Sequence, residues 1–388
     1  MKKIIKKLKF IIALSIGFFV IIFFKILSIF KKFRIGIIYT SRIGHLCRDV
    51  DAYLNIKKNE VVIFGTQKKI ANEFIFNEWK KIKGLFFLNK IGVYGYLFLK
   101  TFFNQSRMMI QWDELYQNYS LFMLQKKNFI SKKLSSEKKE LKKKFGIDRS
   151  PYICFHNRDE LYLKSMGGDK NQHKFRNFKF NDFRKSINFI SKKNFKSIRI
   201  GRLTDKKNFK INNSDFIDFT NNKSNDFIDP FLIDNSEFLV ASATGLSNIG
   251  SMLRKKILLV NTIPFCLREM YQYTKGSIFI PKKIYSFKKK RMLKLCEIER
   301  LKYNIHEKNF FRKRDLKVVN NSEEEIYLAV KEMLENYKNK NKNSKKYLSS
   351  LHDKFWNTID DKRAVNIVRY KLQLNIADSF LKKNKSLI

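Results

Sequence analysis

Beyond residue 34 the chain falls into short β-branched runs, each followed by a polar or glycine-bearing turn and then by apolar residues at helical spacing. Residues 35–40 predict a strand that turns through Ser41, Arg42 and Gly44 into a helix beginning near Cys47, and residues 60–66 predict the next strand. One helix's worth of sequence separates the two, which is βαβ spacing and predicts a parallel sheet. Residues 71–145 read as mainly helical, with an aromatic-rich, glycine-punctuated patch at 85–103, and the charged run 137–144 makes a natural boundary. A second alternation opens at Pro151: strand 152–155 ending in His156, Asn157, Arg158 and Asp159; an amphipathic helix within FRNFKFNDFRKSINFISKKNF; a strand ending in Arg199, Gly201 and Arg202; a helix carrying Asp229; and then SEFLVASATGLSNIGSMLRKKILLVNTIP, a strand, small-residue turn, short helix and strand. Ser322 followed by three glutamates predicts a capped helix, and residues 361–381 predict a last amphipathic one. The expected fold class is α/β, with two Rossmann-like doubly wound domains at 34–145 and 150–320, helices at 321–388, and a distinct segment at 1–33.

That first segment differs in kind. Residues 1–9 carry five lysines, residues 10–24 are almost unbroken apolar, and ILSIF and the basic KKFR follow Lys25. As a helix, residues 10–24 rise about 22 Å and residues 10–30 about 31 Å, against about 30 Å of bilayer hydrocarbon. The segment therefore either spans a membrane or lies shallowly in it. No small-x-small site precedes the polar text, which argues against a cleaved signal peptide. The expectation is an anchor that holds a basic body on the cytoplasmic side of the inner membrane, with the anionic lipid surface as a partner.

Lysine and arginine total 81 against 35 acidic residues, a formal net charge of +46. Such an excess suits an anionic membrane, glycan or nucleic acid. Lysine is nevertheless spread over nearly every segment beside abundant Asn, Ile and Phe, as AT-biased codon usage produces, and the Phe residues fall near helical spacing, so no nucleic-acid partner is expected. The four cysteines are far apart, without metal-ligand spacing, which predicts neither a disulfide framework nor a zinc site.

The chemistry concentrates at predicted strand ends. A turn holding Ser242, Thr244, Gly245, Leu246 and Ser247 past a strand and before a helix suits an anion, because the helix start carries unpaired N–H groups and partial positive charge. Diphosphate recognition also needs a fixed guanidinium, which the strand ends supply as Arg158, Arg199 and Arg202. In the first domain His45 is one candidate base for an acceptor hydroxyl, and Asp49 and Asp159 are others. Asp49-Val50-Asp51 spells a D-x-D string but falls at an inferred helix start, so no metal is expected there.

The segments RIGHL, CFHNRDELYL, QHKFRN, IRIGR, DPFLI, FLVASATGLSNIGSMLRKKILLVNTIP, EEEI with the EM that follows it, and the terminal FLKKN together resemble a family of bacterial glycosyltransferases from surface-polysaccharide gene clusters, similar in pattern to the GT-B class and to fucosyltransferase-like enzymes with an HxR motif. The resemblance runs from about Arg34 to the carboxyl terminus. It implies that Arg158 contacts a donor's diphosphate, that His156 shapes the same pocket, that residues 242–247 hold phosphate or nucleoside, and that Asp229 is the acidic residue preceding that turn. The implied activity is metal-independent transfer of a sugar from a nucleotide-diphosphate donor, the substrate rather than a cofactor, to a cell-surface glycan or lipid-linked acceptor. The alternative is a non-catalytic polyanion-binding or scaffold protein at the membrane.

Overall fold

The computed structural model describes residues 2–56, 59–112, 130, 138–147, 150–158, 161, 174–202, 211–220, 225–263, 265–301, 307, 309–339 and 349–388. The chain divides into two compact units, Met1–Ile130 and Ser131–Ile388, both of mixed α/β structure built around a parallel sheet.

In the first unit, β1 (Phe33–Ile38), β2 (Val61–Thr66) and β3 (Leu85–Leu88) form a parallel sheet in that order. Ile35 on β1 lies opposite Ile63 on β2, which lies opposite Phe86 on β3. Strand β3 sits inside the stretch expected to be helical: its LFFL run is short and apolar, and pairing with β2 decides a conformation that periodicity leaves ambiguous. On the other flank of β1, Met109 bridges Ile35 in parallel, with Ile35 N–H donating to Met108 O (2.7 Å) and Ile110 N–H to Ile35 O (2.8 Å). The winding thus reverses at β1.

The helix after β1 begins at Ile43, one turn before the expected start. Helix Glu73–Lys80 is capped by Asn72, whose side chain accepts from Ile75 N–H at 2.8 Å, and buries Ile75, Phe76 and Trp79. Trp79 Nε1–H donates to Leu46 O at 3.0 Å, tying this helix to Ile43–Ile56. Helix Lys90–Phe102 lies on β2 through a glycine contact: a Cβ on Gly65 would meet Val93 N at 2.4 Å, and one on Gly92 would meet Gly65 Cα at 2.9 Å. Against the same helix packs the N-terminal helix Lys2–Leu27, whose Ile21 and Phe24 join Ile35, Ile63, Leu99 and Met109 in one core.

The second unit carries a seven-stranded sheet with every pairing parallel: β4 (Tyr152–His156), β5 (Lys196–Arg199), β6 (Phe216–Asp218), β7 (Leu239–Ala241), β8 (Ile257–Thr262), β9 (Ile278–Pro281) and β13 (Asn375–Ile376). Its order is β13-β9-β8-β7-β4-β5-β6. From β4 the chain winds outward through β5 and β6, then returns to the other flank of β4 and winds outward again through β7, β8 and β9, which is the strand order of a doubly wound sheet. Strands β7 and β8 are buried along their whole length, as both faces of such a sheet require. A small antiparallel sheet, β10 (Lys283–Ser286) between β11 (Arg291–Met292) and β12 (Leu316–Val319), follows β9.

Helix Glu323–Lys338 forms as its sequence predicts, with a reciprocal capping box between Ser322 and Glu325. Glu325 also accepts from Lys283 Nζ (2.8 Å) and Asn384 Nδ2 (2.9 Å). The single helix expected over 361–381 does not form. Residues Lys362–Val365 and a π-helix Asn366–Lys371 give way to a positive φ of 48° at Gln373, and β13 then pairs Ile376 with Phe279. Completing the sheet edge outweighs local helical periodicity there.

Because the atom facing Gly65 is backbone and cannot swing aside, Gly65→Ala is expected to destabilise the protein by about 1–3 kcal/mol. Urea unfolding of the variant beside the parent measures this, and an unchanged midpoint would show that the β2–helix contact is loose.

Candidate functional site

In a doubly wound sheet the loops from the two strands flanking the winding reversal leave in opposite directions, which opens a crevice at their carboxyl ends. In the second unit those strands are β4 and β7, and their register places His156 opposite Ala241. The segment His156-Asn157-Arg158 and the turn from Ser242 to Gly245 therefore leave the sheet side by side.

His156 Nδ1 lies 3.1 Å from Ile200 O. Burial, with Arg199 and Arg158 nearby, pushes the imidazole pKa down to about 4, so at neutral pH it is uncharged. The carbonyl then requires the proton on Nδ1, leaving Nε2 as an acceptor. Gly201 makes this approach possible: its φ is +112°, and a Cβ there would stand 2.9 Å from His156 Nδ1. Asp229 holds the same turn by accepting from Gly201 N–H at 3.2 Å, and burial raises its carboxyl pKa. Asp229 thus touches the backbone that positions His156.

Asn157 is 4% exposed; its Nδ2 donates to Phe178 O at 3.0 Å, while its Oδ1 is buried with no hydrogen-bond partner among the described residues. Ser242, 2% exposed, likewise has an Oγ without such a partner. Two buried polar atoms unsatisfied at adjacent strand ends are costly unless a ligand or water completes them. Thr244 caps helix Gly245–Met252, with Thr244 N–H donating to Ser247 Oγ at 3.0 Å and Ser247 N–H to Thr244 Oγ1 at 3.5 Å. Ser247 is fully buried, so its hydroxyl serves the cap, and Leu246 packs beside Gly201.

The strand-end arginines have different fates. Arg199 is 1% exposed, 3.4 Å from Asp218 Oδ2, with its guanidinium 4.3 Å above the Phe180 ring, so it braces β5 and β6 from within the fold. Arg202 pairs with Asp226. Arg158, half-buried, lies on the β4 loop, where its carbonyl accepts from Phe178 N–H at 3.4 Å. Asp159 lies outside the described residues.

Two residues that sequence reasoning passed over belong to this site. Arg176 donates to Ala243 O within the turn after β7. Lys282, 2% exposed immediately after β9, donates to Phe175 O (2.8 Å), Asn177 O (3.0 Å) and Asn320 Oδ1 (2.7 Å), and so clamps the segment that carries Arg176. Burial, aided by the charge of Arg176, pushes the Lys282 ammonium down to about 7. QHKFRN was visible as a segment, but among 81 basic residues nothing local marks Lys282 as buried.

In the first unit the helix after β1 presents His45 and Asp49 one turn apart, His45 Nδ1 lying 2.9 Å from Asp49 Oδ2. Arg48 Nε donates to Asp49 Oδ1 at 3.0 Å, and the Tyr39 ring packs edge-on against the His45 ring at 5.5 Å. Asp49 is 3% exposed and His45 partly open. Asp49 and Asp51 stand inside helix Ile43–Ile56 rather than at its start, and positions two apart point to different faces, so the D-x-D string does not converge on one ion. No group of three or more His, Cys, Asp or Glu side chains is placed to hold a metal among the described residues.

No protein-family model matches the chain, and no curated protein matches it significantly. Solved structures do resemble it. The iron-containing dodecameric glycosyltransferase TibC from enterotoxigenic E. coli H10407 aligns over 79% of this chain and 77% of its own, with a TM-score of 0.43 and 11% identity. The heptosyltransferase TibC in complex with ADP-D-β-D-heptose aligns over 79% and 78%, with a TM-score of 0.41 and 10% identity. Likenesses this faint carry no conclusion about activity.

The His156 environment sets a pH signature. A histidine in the unfolded chain titrates near 6.5, whereas this one stays neutral to about 4, so between those values the unfolded chain binds more protons. The contribution is complete above about pH 6.5 and is lost as pH falls toward 4. Relative to His156→Gln, the parent is expected to lose about 2–2.5 kcal/mol of stability between pH 7 and pH 4.5. Urea titrations of both proteins at the two pH values check it, and parallel curves would contradict the neutral assignment.

Proposed function

We propose that this chain is a glycosyltransferase whose second unit binds a nucleotide-diphosphate sugar at the carboxyl ends of β4 and β7, with a cell-surface glycan or a lipid-linked intermediate as acceptor, on the cytoplasmic face of the inner membrane. The observation that carries the reading is the pair of buried unsatisfied atoms, Ser242 Oγ and Asn157 Oδ1, at the winding reversal beside Arg158. A hydroxyl that can donate suits a phosphate oxygen, and a carboxamide oxygen that can only accept suits a ribose or sugar hydroxyl. Arg158 supplies the charge-assisted contact to the diphosphate. Neutral His156 adds an acceptor at Nε2 without repelling a cationic neighbour.

The donor leaves as a nucleoside diphosphate when the acceptor oxygen attacks the anomeric carbon. The bonding pair departs on the diphosphate oxygen, and positive charge held near that oxygen lowers the barrier. Guanidinium provides that charge here without a metal ion. The acceptor's proton needs a base, and His45 is the candidate: Nδ1–H donates to Asp49, which orients the ring and leaves Nε2 able to take a proton.

A panel of UDP-, GDP-, ADP-, CMP- and TDP-sugars tests the binding half. A true donor at 100 times its Kd is expected to add about 2.7 kcal/mol to stability. Ser242→Ala is expected to weaken its binding about 10- to 100-fold, and Arg158→Ala at least as much, by calorimetry. No stabilisation by any member of the panel, or undiminished binding by both variants, sinks the reading.

The catalytic half separates from it. With the donor so identified and a chelator present, His45→Gln is expected to bind donor as the parent does while its transfer rate falls about 10²- to 10⁴-fold. A rate unchanged in that variant would remove His45 from the chemistry and leave the donor site standing.

A further inference from the structure

Residues 10–24 of helix Lys2–Leu27 are apolar nearly all round, yet only one face is covered. Ala13, Gly17, Ile21 and Phe24, recurring every three or four residues, are buried. A Cβ on Gly17 would meet Tyr94 O at 2.4 Å, and one on Gly95 would meet Val20 Cγ1 at 3.1 Å, so the two helix backbones touch. Residues 13–27 are in this way built into the wall of the first unit. They cannot also be ringed by lipid. What remains, residues 2–12, rises only about 16 Å as a helix, half of what a crossing needs.

The opposite face is a continuous apolar stripe open to the surroundings: Ile12, Ile16, Phe19, Ile22, Phe23 and Ile26 are 39–68% exposed, and Ile29 and Phe30 extend it at 79% and 85%. It broadens sideways onto helix Lys90–Phe102 through the edge-to-face pair Phe18–Phe98 (5.6 Å) and then Phe98–Phe102 (5.1 Å), Phe102 being 58% exposed. An apolar surface of this kind in water marks something that covers it. Its rim says what. Lys6, Lys7 and Lys9 are exposed at one end, Lys25, Lys31 and Lys32 at the other, and no acidic residue occurs before Asp49.

We propose that this two-helix face enters one leaflet of an anionic phospholipid bilayer and lies along its interface, so that the chain is held monotopically and is not threaded through. The aromatic and aliphatic stripe meets the acyl boundary while lysines at both ends stay among anionic headgroups. This placement uses only the first unit and stands independently of the donor site.

The full chain is mixed with sealed vesicles of phosphatidylcholine, with or without phosphatidylglycerol, and floated on a density gradient. The parent is expected to float with phosphatidylglycerol vesicles and less well without that lipid or in high salt. Phe19→Glu with Phe23→Glu, at positions already facing outward, is expected to reduce flotation about ten-fold or more while circular dichroism and nucleotide binding are retained. A membrane-impermeant maleimide is expected to label Lys6→Cys from outside the sealed vesicles. Labelling only after detergent opens them would mean a crossing and overturn the proposal. Undiminished flotation of the double variant would overturn it too, as would a parent that dimerises through this face and ignores vesicles.

Discussion

The second unit depends on one piece of pairing: β4 and β7, far apart in sequence, lie parallel with His156 against Ala241. Each strand donates its hydrogen bonds to a neighbour that the chain reaches by winding away in the opposite direction. The connections therefore cannot cover the seam where those windings part. An uncovered seam ringed by strand ends is a place where polar groups are buried without partners from the fold itself. Ser242 and Asn157 are such groups. Around them the fold spends several contacts on keeping the seam's shape: Asp229 on Gly201 N–H, Gly201 under His156, Arg176 on Ala243 O, and Lys282 on the segment carrying Arg176.

Charge in this protein has to be read by location. Arg291 and Lys289 flank Glu297 and pull its carboxyl down to about 2, but both basic partners are about half exposed, and solvent and salt leave such pairs little net stability. Lys282 is the opposite case. Its burial is severe enough to bring the ammonium to about 7, and three oxygens must surround it for the site to be tolerable. Arg199 is buried as deeply but is paired with Asp218 and stacked on Phe180, which makes it part of the scaffold. A net charge of +46 reveals none of these distinctions.

The N-terminal helix shows the same gap between composition and placement. By length and hydropathy Ile4–Leu27 qualifies as a crossing segment. What composition cannot show is that Gly17 and Gly95 let two helices touch and that Ile21 and Phe24 belong to a core with Ile35 and Ile63. One face of the helix is accounted for by the protein, and the rest of its surface stays exposed.

Local chemistry was legible wherever a segment's own residues satisfy it. The apolar and β-branched runs of β1, β2, β4, β5, β7 and β8 read as strands. The Ser322–Glu325 cap marks its helix, and the small residues after Ala241 mark a turn that the structure closes as a capping box. Segments whose conformation is set by distant partners were not legible. β3 and β9 are four-residue apolar runs, and β13 breaks a stretch with helical periodicity because it completes a sheet edge against Phe279. The same division holds for the site. The residue types at each strand end, and the suitability of the SATG turn for an anion, follow from sequence alone, since capping and backbone geometry are local. Which arginine is consumed by an internal carboxylate, which lysine is buried, and which strand ends lie side by side were decided only in three dimensions. Those outcomes depend on burial and on contacts between residues up to about a hundred positions apart, where Coulomb and desolvation energies are set by neighbours that no window of sequence contains.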